Sequence, residues 1–262
     1  MGVVNVTPDS FSDGGLWLEP EAAVAHGLEL HSEGAAILDV GGESTRPGAE
    51  PVGEAEELRR IEPVVRSLCQ QAPGAVVSID TMKASVAEAA LAAGASYVND
   101  VTALRGDPRM AGVVAAAGCE VCLMHMAGTP QTMQEDPRYD DVVGEVASFL
   151  AERAEAAVAA GIAPERIQLD PGIGFGKSLE HNLELLRRLD EIAAIGFPVV
   201  AGLSRKRFLG VITGREEPAA RVAASVAAAV LSWERGASVL RAHDVAATVD
   251  ALKVATATLG AR

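Results

Sequence analysis

The feature that most constrains the fold is a unit that occurs eight times along the chain, a short apolar segment followed by a stretch of helical character. Each apolar segment is rich in Val, Ile, Leu and Ala, and the helical stretches usually end at a glycine, as at Gly34, Gly94 and Gly118. Near-continuous apolar strands that alternate with helices predict a parallel sheet covered by helices. The predicted strands are residues 2–5, 35–40, 75–80, 97–100, 121–125, 167–169, 198–202 and 239–242.

Chain length decides which parallel sheet is expected. The chain has 262 residues, 49% of them hydrophobic, which is enough for a large core and for one domain of α/β-barrel size. Eight units in this length favour a closed barrel over an open, doubly wound sheet, and no linker separates the units. We therefore predict an α/β protein with a single domain over residues 1–262, a (β/α)8 TIM barrel with long loops after strands 1 and 2.

Composition excludes several classes of function. The net charge of −14 argues against nucleic acid, because such binding depends on neutralising phosphates. No apolar run reaches the ~18 residues of a membrane span, and no export leader is expected before Met1. Cys119 and Cys122 form a C-x-x-C that runs into a strand, where residues three apart point to opposite faces, so structural burial is expected. These features predict a cytoplasmic protein.

Polar residues stand where the predicted strands end. In a parallel barrel all strand ends lie on one face, the face where barrel enzymes carry their sites. A rim that only faced solvent would favour Lys and Glu, whereas this set is rich in Asn, Asp, Arg and His. For Asp39 and Asp100 a turn-forming role is equally open. The set comprises Asn5, Asp39, Asp80, Asn99, Asp100, His125, Asp170, Ser204 to Lys206, Arg241 and His243.

Among these strand ends, the segment 168–177 combines a carboxylate, a proline, three glycines, an aromatic ring and a lysine. Asp170 follows a buried strand, and Pro171 with three glycines excludes helix and allows the backbone to pass close to a ligand. Ser178 is the expected N-cap of the next helix. The segment predicts a binding loop.

Charge divides the predicted site into two parts. Asp80, Asn99 and Asp170 can accept and donate hydrogen bonds to an aminopyrimidinone-type ring. A local basic zone in an acidic chain favours phosphate or carboxylate groups. The sequence therefore indicates a flat polar ring that carries a phosphate group. The basic residues of the strand-end loops are Arg46, Lys177, Arg205, Lys206, Arg207 and Arg241.

Seven segments together resemble the dihydropteroate synthase family, and the resemblance runs from Met1 to the last helix. It implies condensation of 6-hydroxymethyl-7,8-dihydropterin diphosphate with 4-aminobenzoate, which gives 7,8-dihydropteroate and pyrophosphate in folate synthesis. It also implies Mg²⁺ as cofactor and a homodimer. The segments are Asn5–Gly15, Gly41–Gly48, Ser78–Thr81, Asn99–Val101, Asp170–Lys177, Ser204–Lys206 and Arg241–Asp244.

The resemblance assigns a role to each matching residue. Asn5 matches the residue that meets Mg²⁺ on the diphosphate, Phe175 an aromatic wall of the aminobenzoate pocket, and Lys206 a lysine near both substrates. Asp80, Asn99 and Asp170 match pterin-binding positions. The residues that match diphosphate or second-substrate contacts are Thr45, Arg46, Arg241 and His243.

The family's reaction implies charge stabilisation and no covalent enzyme intermediate. Diphosphate is thought to leave first, after which the aniline nitrogen attacks a pterin-methyl cation. Arg241 and His243, with Mg²⁺, would stabilise the leaving group, and Asp80 the cation. With Lys206 these are the expected catalytic residues. Arg207 departs from the family pattern, which often has serine after the lysine, and could change how the benzoate carboxylate is held.

Three other functions share part of this sequence pattern. A methyltetrahydrofolate:corrinoid methyltransferase barrel shares the ring-binding residues but needs neither Asn5–Gly15 nor Ser204–Lys206. A non-catalytic pterin-binding paralogue would keep the ring site alone. A phosphate-binding barrel lyase would carry a glycine-rich loop after strands 7 and 8, where this chain has arginine, lysine and histidine.

Overall fold

Eight parallel strands form one sheet in chain order in the computed structural model, which describes residues 1–7, 20–46 and 48–260. The sheet closes on itself, because Val3 donates to the Ala242 carbonyl (3.2 Å) and Ala242 donates to that of Met1 (2.9 Å). The α/β barrel prediction is thus confirmed. The strands are β1 (Gly2–Asn5), β2 (Ile37–Gly41), β3 (Val76–Asp80), β4 (Tyr97–Asp100), β5 (Glu120–Met124), β6 (Ile167–Asp170), β7 (Val199–Gly202) and β8 (Ala237–Arg241).

Helices follow the strands and pack around the barrel. The apolar core lies between the outward faces of the strands and the helices, and includes Leu38, Ile79, Leu123 and Leu169. The helices are α1 (Pro20–Ser32), α2 (Glu54–Gln71), α3 (Ala84–Ala92), α4 (Met110–Ala117), α5 (Val142–Ala159), α6 (Leu179–Arg187), α7 (Leu189–Ala193), α8 (Arg207–Thr213), α9 (Val222–Glu234) and α10 (Val245–Leu259).

Strand alternation decides which side chains enter the barrel. A smaller apolar cluster that includes Tyr97, Cys122 and Val200 fills the lower interior. Above it the register sets Asp80 beside Asn99 and Gly202 beside Arg241. Since side chains alternate along a strand, the residue two positions after an interior apolar residue also points inward. The polar residues at the strand ends therefore share one enclosed space.

Some local predictions were correct and others were not. Ser178 forms a capping box with His181 at the start of α6, as expected for its N-cap role. The strand bounds agree within two residues, whereas α8 was not anticipated. Asp244 is the N-cap residue of the last helix, α10, but its side chain makes no capping hydrogen bond. The Asp244 carboxylate instead binds Arg205, with Oδ2 3.0 Å from Nε and Oδ1 2.6 Å from Nη2.

The structure bears on two features that the composition raised, the C-x-x-C cysteines and membrane-spanning segments. Cys119 and Cys122 are both buried and unpaired, as the strand parity predicted. Within the described residues, no helix has the length and apolar character to cross a membrane.

Candidate active site

Asp39 lies at the centre of the polar network inside the barrel, not at a strand end as predicted. Strand β2 continues to Gly41, so the Asp39 side chain points into the barrel, where it is fully buried. It accepts hydrogen bonds from Ser78 Oγ (2.6 Å), Asn99 Nδ2 (3.0 Å) and Arg241 Nε (2.7 Å). Three donors compensate the burial of this carboxylate. Asp39 therefore orients the residues around it and forms no turn.

Asp100, the other aspartate left open, does form a turn. Its side chain points away from the barrel interior and accepts the backbone N–H groups of Thr102 (2.8 Å) and Leu104 (2.9 Å). Ala103 and Leu104 hold positive φ angles of 53° and 62°, and these two bonds fix that bend. Asp100 thus shapes the loop after β4 and does not enter the site.

Arg241 joins Asp39 to Asp80. Its Nε contacts Asp39 and its Nη2 donates to Asp80 Oδ2 (2.9 Å), so Arg241 forms an ion pair with each of these carboxylates. A guanidinium has five N–H donors, and 22% of this side chain remains exposed. Arg241 can therefore hold the two carboxylates in place and still offer donors to an anion.

Asp80 combines burial with a single cationic partner. Burial raises the pKa of Asp80 to about 7 despite the opposing effect of Arg241, and the charges of Asp39 and Glu57 add to the rise. Its neighbour Asn99 directs its amide NH2 at Asp39, which turns the amide oxygen to the other side. Asp80 and Asn99 thus present mixed acceptor and donor groups at the same level of the barrel.

Asp170, Lys206 and Phe175 converge on the other side of the interior. Asp170 Oδ1 accepts the Gly172 N–H (2.7 Å). A Cβ placed on Gly202 would lie 3.9 Å from both Asp170 Oδ2 and Lys206 Nζ, so the glycine leaves an open space bounded by these two groups. Lys206 also donates to the Ile173 carbonyl and lies 4.6 Å from the centre of the Phe175 ring.

Burial disfavours the charged forms of both Asp170 and Lys206. Burial raises the pKa of Asp170 and lowers that of Lys206 to about 8. Each group opposes the other's shift, because opposite charges favour the ionised forms. The pair can therefore donate from the amine and accept at the carboxylate.

Lys177 was predicted in the basic zone for an anion, and its surroundings give it a different role. It is 3% exposed, and its Nζ lies 2.9 Å from His125 Nδ1 and 3.0 Å from the Phe175 carbonyl. Burial and the nearby Lys206 lower the pKa of Lys177 to about 7. Burial and Lys177 likewise lower the pKa of His125 to about 3, so His125 stays neutral. The two residues support the glycine loop from behind.

Arg205 was also predicted in the basic zone. Its guanidinium forms an ion pair with Asp244 of the same chain.

Ser204 sets the state of His243. The Ser204 hydroxyl accepts the His243 backbone N–H (3.1 Å) and lies 3.0 Å from Nδ1. Because the hydroxyl has one hydrogen, donating it to Nδ1 satisfies both groups and leaves the ring proton on Nε2. Burial, then the charges of Arg241, Arg205 and Arg46, hold the pKa of His243 well below its usual range. His243 is thus a neutral donor.

Asn5 is the expected metal ligand at the end of β1. A Cβ on Gly41 would lie 3.8 Å from both Asn5 Oδ1 and Asp80 Oδ2, so the two oxygens flank that glycine. No group of three or more His, Cys, Asp or Glu side chains suited to a metal occurs among the described residues. An amide oxygen fits Mg²⁺, which is typically held by one or two protein oxygens together with water and substrate phosphates. Most of the signature Asn5–Gly15, residues 8–15, lies outside the described residues.

The loop after β2 carries Thr45 and Arg46. Gly42 packs against α2, where an added Cβ would come within 2.7 Å of Ile61. The side chain of Arg207, at the start of α8, is exposed and forms no ion pair within the described part of the chain. The substrate roles of Thr45, Arg46 and Arg207 stay predictions.

The sequence placed Asp39 and Ser204 among the polar strand-end residues and Ser78 in a matching segment, but it did not indicate that these three hold other site residues in place. Ser78 and Asp39 lie two positions before Asp80 and Gly41 on the same strands, so the period of two could have placed them inside the barrel. Ser204 gave no such signal, because its bond to His243 joins the ends of two strands.

Comparisons with known proteins agree with this geometry. The chain matches the family described as "Pterin binding enzyme" over residues 1–243. It is 51% identical over 259 residues to dihydropteroate synthase of Neisseria meningitidis serogroup B, covering 97% of this chain and 90% of the relative.

Two solved structures of Xanthomonas albilineans dihydropteroate synthase share the fold. The one with 4-aminobenzoic acid has a TM-score of 0.93 and 55% sequence identity, and the match covers 100% of this chain and 93% of the Xanthomonas chain. The one in complex with 7,8-dihydropteroate has a TM-score of 0.89 and 52% identity, and covers 100% of this chain and 94% of its own. The barrel and its interior residues agree with the family match and with an identity of about half over nearly the whole chain. The chain therefore belongs to the dihydropteroate synthases of the pterin-binding enzyme family.

Proposed function

We propose that the chain condenses 6-hydroxymethyl-7,8-dihydropterin diphosphate with 4-aminobenzoate to give 7,8-dihydropteroate and pyrophosphate. The observation that carries this proposal is the convergence of Asp80, Asn99, Asp170 and Lys206 inside one barrel end, with Arg241 beside them. The names of the relatives, and the ligands named with the two Xanthomonas structures, support it.

Ring recognition follows from the hydrogen-bonding character of the interior. The Asp170 and Asp80 carboxylates accept from the amino and ring N–H groups of a pterin. The Asn99 amide and the Lys206 amine can supply the complementary acceptor and donor atoms. A ring that lacked either kind of group would leave a buried polar atom unpaired, at a cost of roughly 1–3 kcal/mol. These residues therefore select a heterocycle with both donors and acceptors.

The bond changes require stabilisation of two opposite charges. The C–O bond to the diphosphate breaks and its electron pair leaves with the diphosphate, so positive charge develops at the pterin methylene carbon. The aniline nitrogen of 4-aminobenzoate then forms the C–N bond and loses one proton to solvent. The ionised Asp80 carboxylate stabilises the developing cation. Remaining donors of Arg241 and the Nε2–H of His243 stabilise the leaving diphosphate.

Mg²⁺ is proposed as the cofactor. Asn5 would contribute its amide oxygen, at the barrel end shared with Asp80, and the diphosphate would supply further oxygens. When bound, the ion supplies charge neutralisation on the diphosphate.

A homodimer and a cytoplasmic location complete the proposal. Exposed apolar side chains lie on helices that contact one another, Val211 and Ile212 on α8 and Leu231 on α9. The helix α9 is also rich in alanine, which allows close approach of a second copy. Three cysteines without disulfides suit a reducing compartment. Sedimentation of the purified chain tests the oligomeric state.

A pyrophosphate-release assay tests the function. We expect release only when both substrates and Mg²⁺ are present, in a one-to-one ratio with 7,8-dihydropteroate. Omission of 4-aminobenzoate serves as the matched control. Pterin binding without any pyrophosphate release would instead favour the non-catalytic paralogue. Methyl transfer from methyltetrahydrofolate would favour the methyltransferase.

A further inference from the structure

A second charged cluster lies behind the loop after β2, outside the site described above. Lys83, the residue before α3, donates from Nζ to Glu43 Oε2 (2.6 Å) and to Glu57 Oε2. Glu57 belongs to α2 and is fully buried, and its other oxygen accepts from Thr81 Oγ1 (2.7 Å). One ammonium thus connects a loop carboxylate to a core carboxylate.

Glu43 also closes the loop on itself. Its Oε1 accepts the backbone N–H of Val52 (2.9 Å), so the carboxylate ties the two ends of the segment 43–52 together. Thr45 and Arg46 lie between these ends. Because Lys83 holds the other oxygen of the same carboxylate, it determines where the base of this loop sits relative to the barrel wall.

The electrostatics make Lys83 necessary for this arrangement. The Glu43 side chain is 8% exposed and that of Glu57 is 0% exposed, so neither carboxylate is compensated mainly by water. Burial lowers the pKa of Lys83, but its hydrogen bonds to Glu43 and Glu57 outweigh this effect and raise it overall. Without the ammonium, two buried carboxylates would face each other and repel.

We propose that Lys83 is a positioning residue that, through Glu43 and Glu57, places the loop carrying Thr45 and Arg46 for binding of 4-aminobenzoate. Its ammonium is bound to the two carboxylates and not to the residues of the ring site. The inference rests on the proposed function, since it names the substrate whose binding depends on this loop.

The test compares Lys83→Met with Lys83→Arg. We expect Lys83→Met to raise the KM for 4-aminobenzoate by about tenfold or more, because a misplaced loop loses contact geometry. The Kd of a diphosphate-free pterin, measured by calorimetry, should change much less, since Lys83 and Glu43 make no hydrogen bond to Asp80, Asn99 or Asp170 and only the charge of Glu57 acts on Asp80. Lys83→Arg keeps the charge and should restore most of the KM. Hydrogen exchange of the amides of residues 44–46 and 48–50 should be faster in Lys83→Met, with α3 unchanged.

Two controls make the outcome decisive. Lys253→Met removes an exposed lysine paired with Asp250 and should change neither the KM for 4-aminobenzoate nor the Kd of the pterin. Glu43→Gln keeps an oxygen for Val52 but removes the ion pair, and should raise the KM for 4-aminobenzoate in the same direction. It also serves as the second variant if Lys83→Met does not fold.

The contrary results are equally specific. Equal losses for 4-aminobenzoate and the pterin would overturn the proposal, as would an unchanged KM in Glu43→Gln. Absence of pyrophosphate release by the unmodified chain would overturn the proposed function instead. Calorimetry of 4-aminobenzoate and hydrogen exchange of the loop would then still decide the role of Lys83.

Discussion

At the scale of single residues, the central charged groups of the site each bind more than one neighbouring side chain. Asp39 binds Ser78, Asn99 and Arg241, and Arg241 in turn binds Asp80. Such networks couple ligand binding to stability, because removing one member leaves others buried and unpaired. The residues predicted to bind substrate therefore also stabilise the barrel interior.

Asp170→Asn is expected to weaken pterin binding. The asparagine keeps the shape but replaces an acceptor oxygen by a donor, a buried mismatch that costs about 1–3 kcal/mol, or roughly ten- to a hundredfold in Kd. Calorimetry with a diphosphate-free pterin measures this change. The control Asp250→Asn alters an exposed carboxylate and should leave the Kd unchanged. Unaltered pterin binding in Asp170→Asn would remove Asp170 from the ring site.

Arg241→Lys should affect both anion binding and stability. A lysine cannot span Asp39 and Asp80 with a planar fork, so we expect a loss of about 1–3 kcal/mol in the free energy of unfolding. Pyrophosphate should bind more weakly, and a diphosphate-free pterin should be affected much less. Titration calorimetry and a urea unfolding curve measure the two effects. Arg138→Lys, on an exposed pair with Asp136, is the control. Equal losses for pyrophosphate and pterin would contradict the division into anion and ring parts.

At the scale of elements, the loop after β6 depends on close backbone contact. A Cβ on Gly172 would lie 1.8 Å from the His125 carbonyl oxygen, and the glycine has a φ of +63°. The loop that carries Asp170 therefore rests directly on the end of β5. At the far end of the loop, Lys177 contacts His125 as well, so the loop is joined to the residue after β5 at two points.

Gly172→Ala and Gly118→Ala form a matched pair. Gly118 ends α4 with a φ of +61°, and no described atom lies within 4 Å of its added Cβ. Both alanines suffer the left-handed conformation, which costs about 1–2 kcal/mol. Only Gly172→Ala also collides with backbone, so it should lose several times more stability in urea unfolding, or fail to fold. Equal losses for the two variants would show that the contact with His125 yields easily.

At the scale of the whole molecule, charges of both signs meet at one end of the barrel of an acidic protein. The net charge is −14. Lys206 and Arg241 lie at that end beside the carboxylates of Asp39, Asp80 and Asp170. Burial of such groups shifts their pKa values and makes stability depend on pH near neutrality. Lys177 gives the clearest case, because its pKa falls from 10.5 to about 7.

The expected pH dependence follows from proton counts. Between pH 7 and 8 the unfolded state keeps the Lys177 proton and the folded state releases it, so folding becomes more favourable as pH rises. For a folded pKa of about 7 this gain is about 1 kcal/mol. Lys177→Met should remove the gain, as measured by the difference between urea unfolding curves at the two pH values. Lys253→Met, at an exposed site, should retain it. A variant Lys177→Met with the same pH dependence as the parent chain would show that Lys177 does not release its proton in this range.

The fold and half of the site follow from local sequence information. Strand positions, helix ends and the period of two depend on neighbouring residues, so Asp80, Asn99 and Asp170 could be placed at one barrel end in advance. The capping role of Ser178 was equally local. Family resemblance then supplied the substrates, which the residues alone described only as a polar ring with a phosphate.

Tertiary structure alone decided which charged side chains meet. Asp39 and Asp100 both occur near a predicted strand end, yet one lies in the barrel and the other folds a turn. Lys177 and Lys206 are both lysines of strand-end loops, yet one is enclosed behind the loop and the other borders the open space beside Asp170. Such differences depend on strand register and barrel closure, which bring together residues far apart in the chain, as Arg241 and Asp39 are. A sequence read by local pattern carries no information on those distances, so the partners of each charge became known only when the barrel closed.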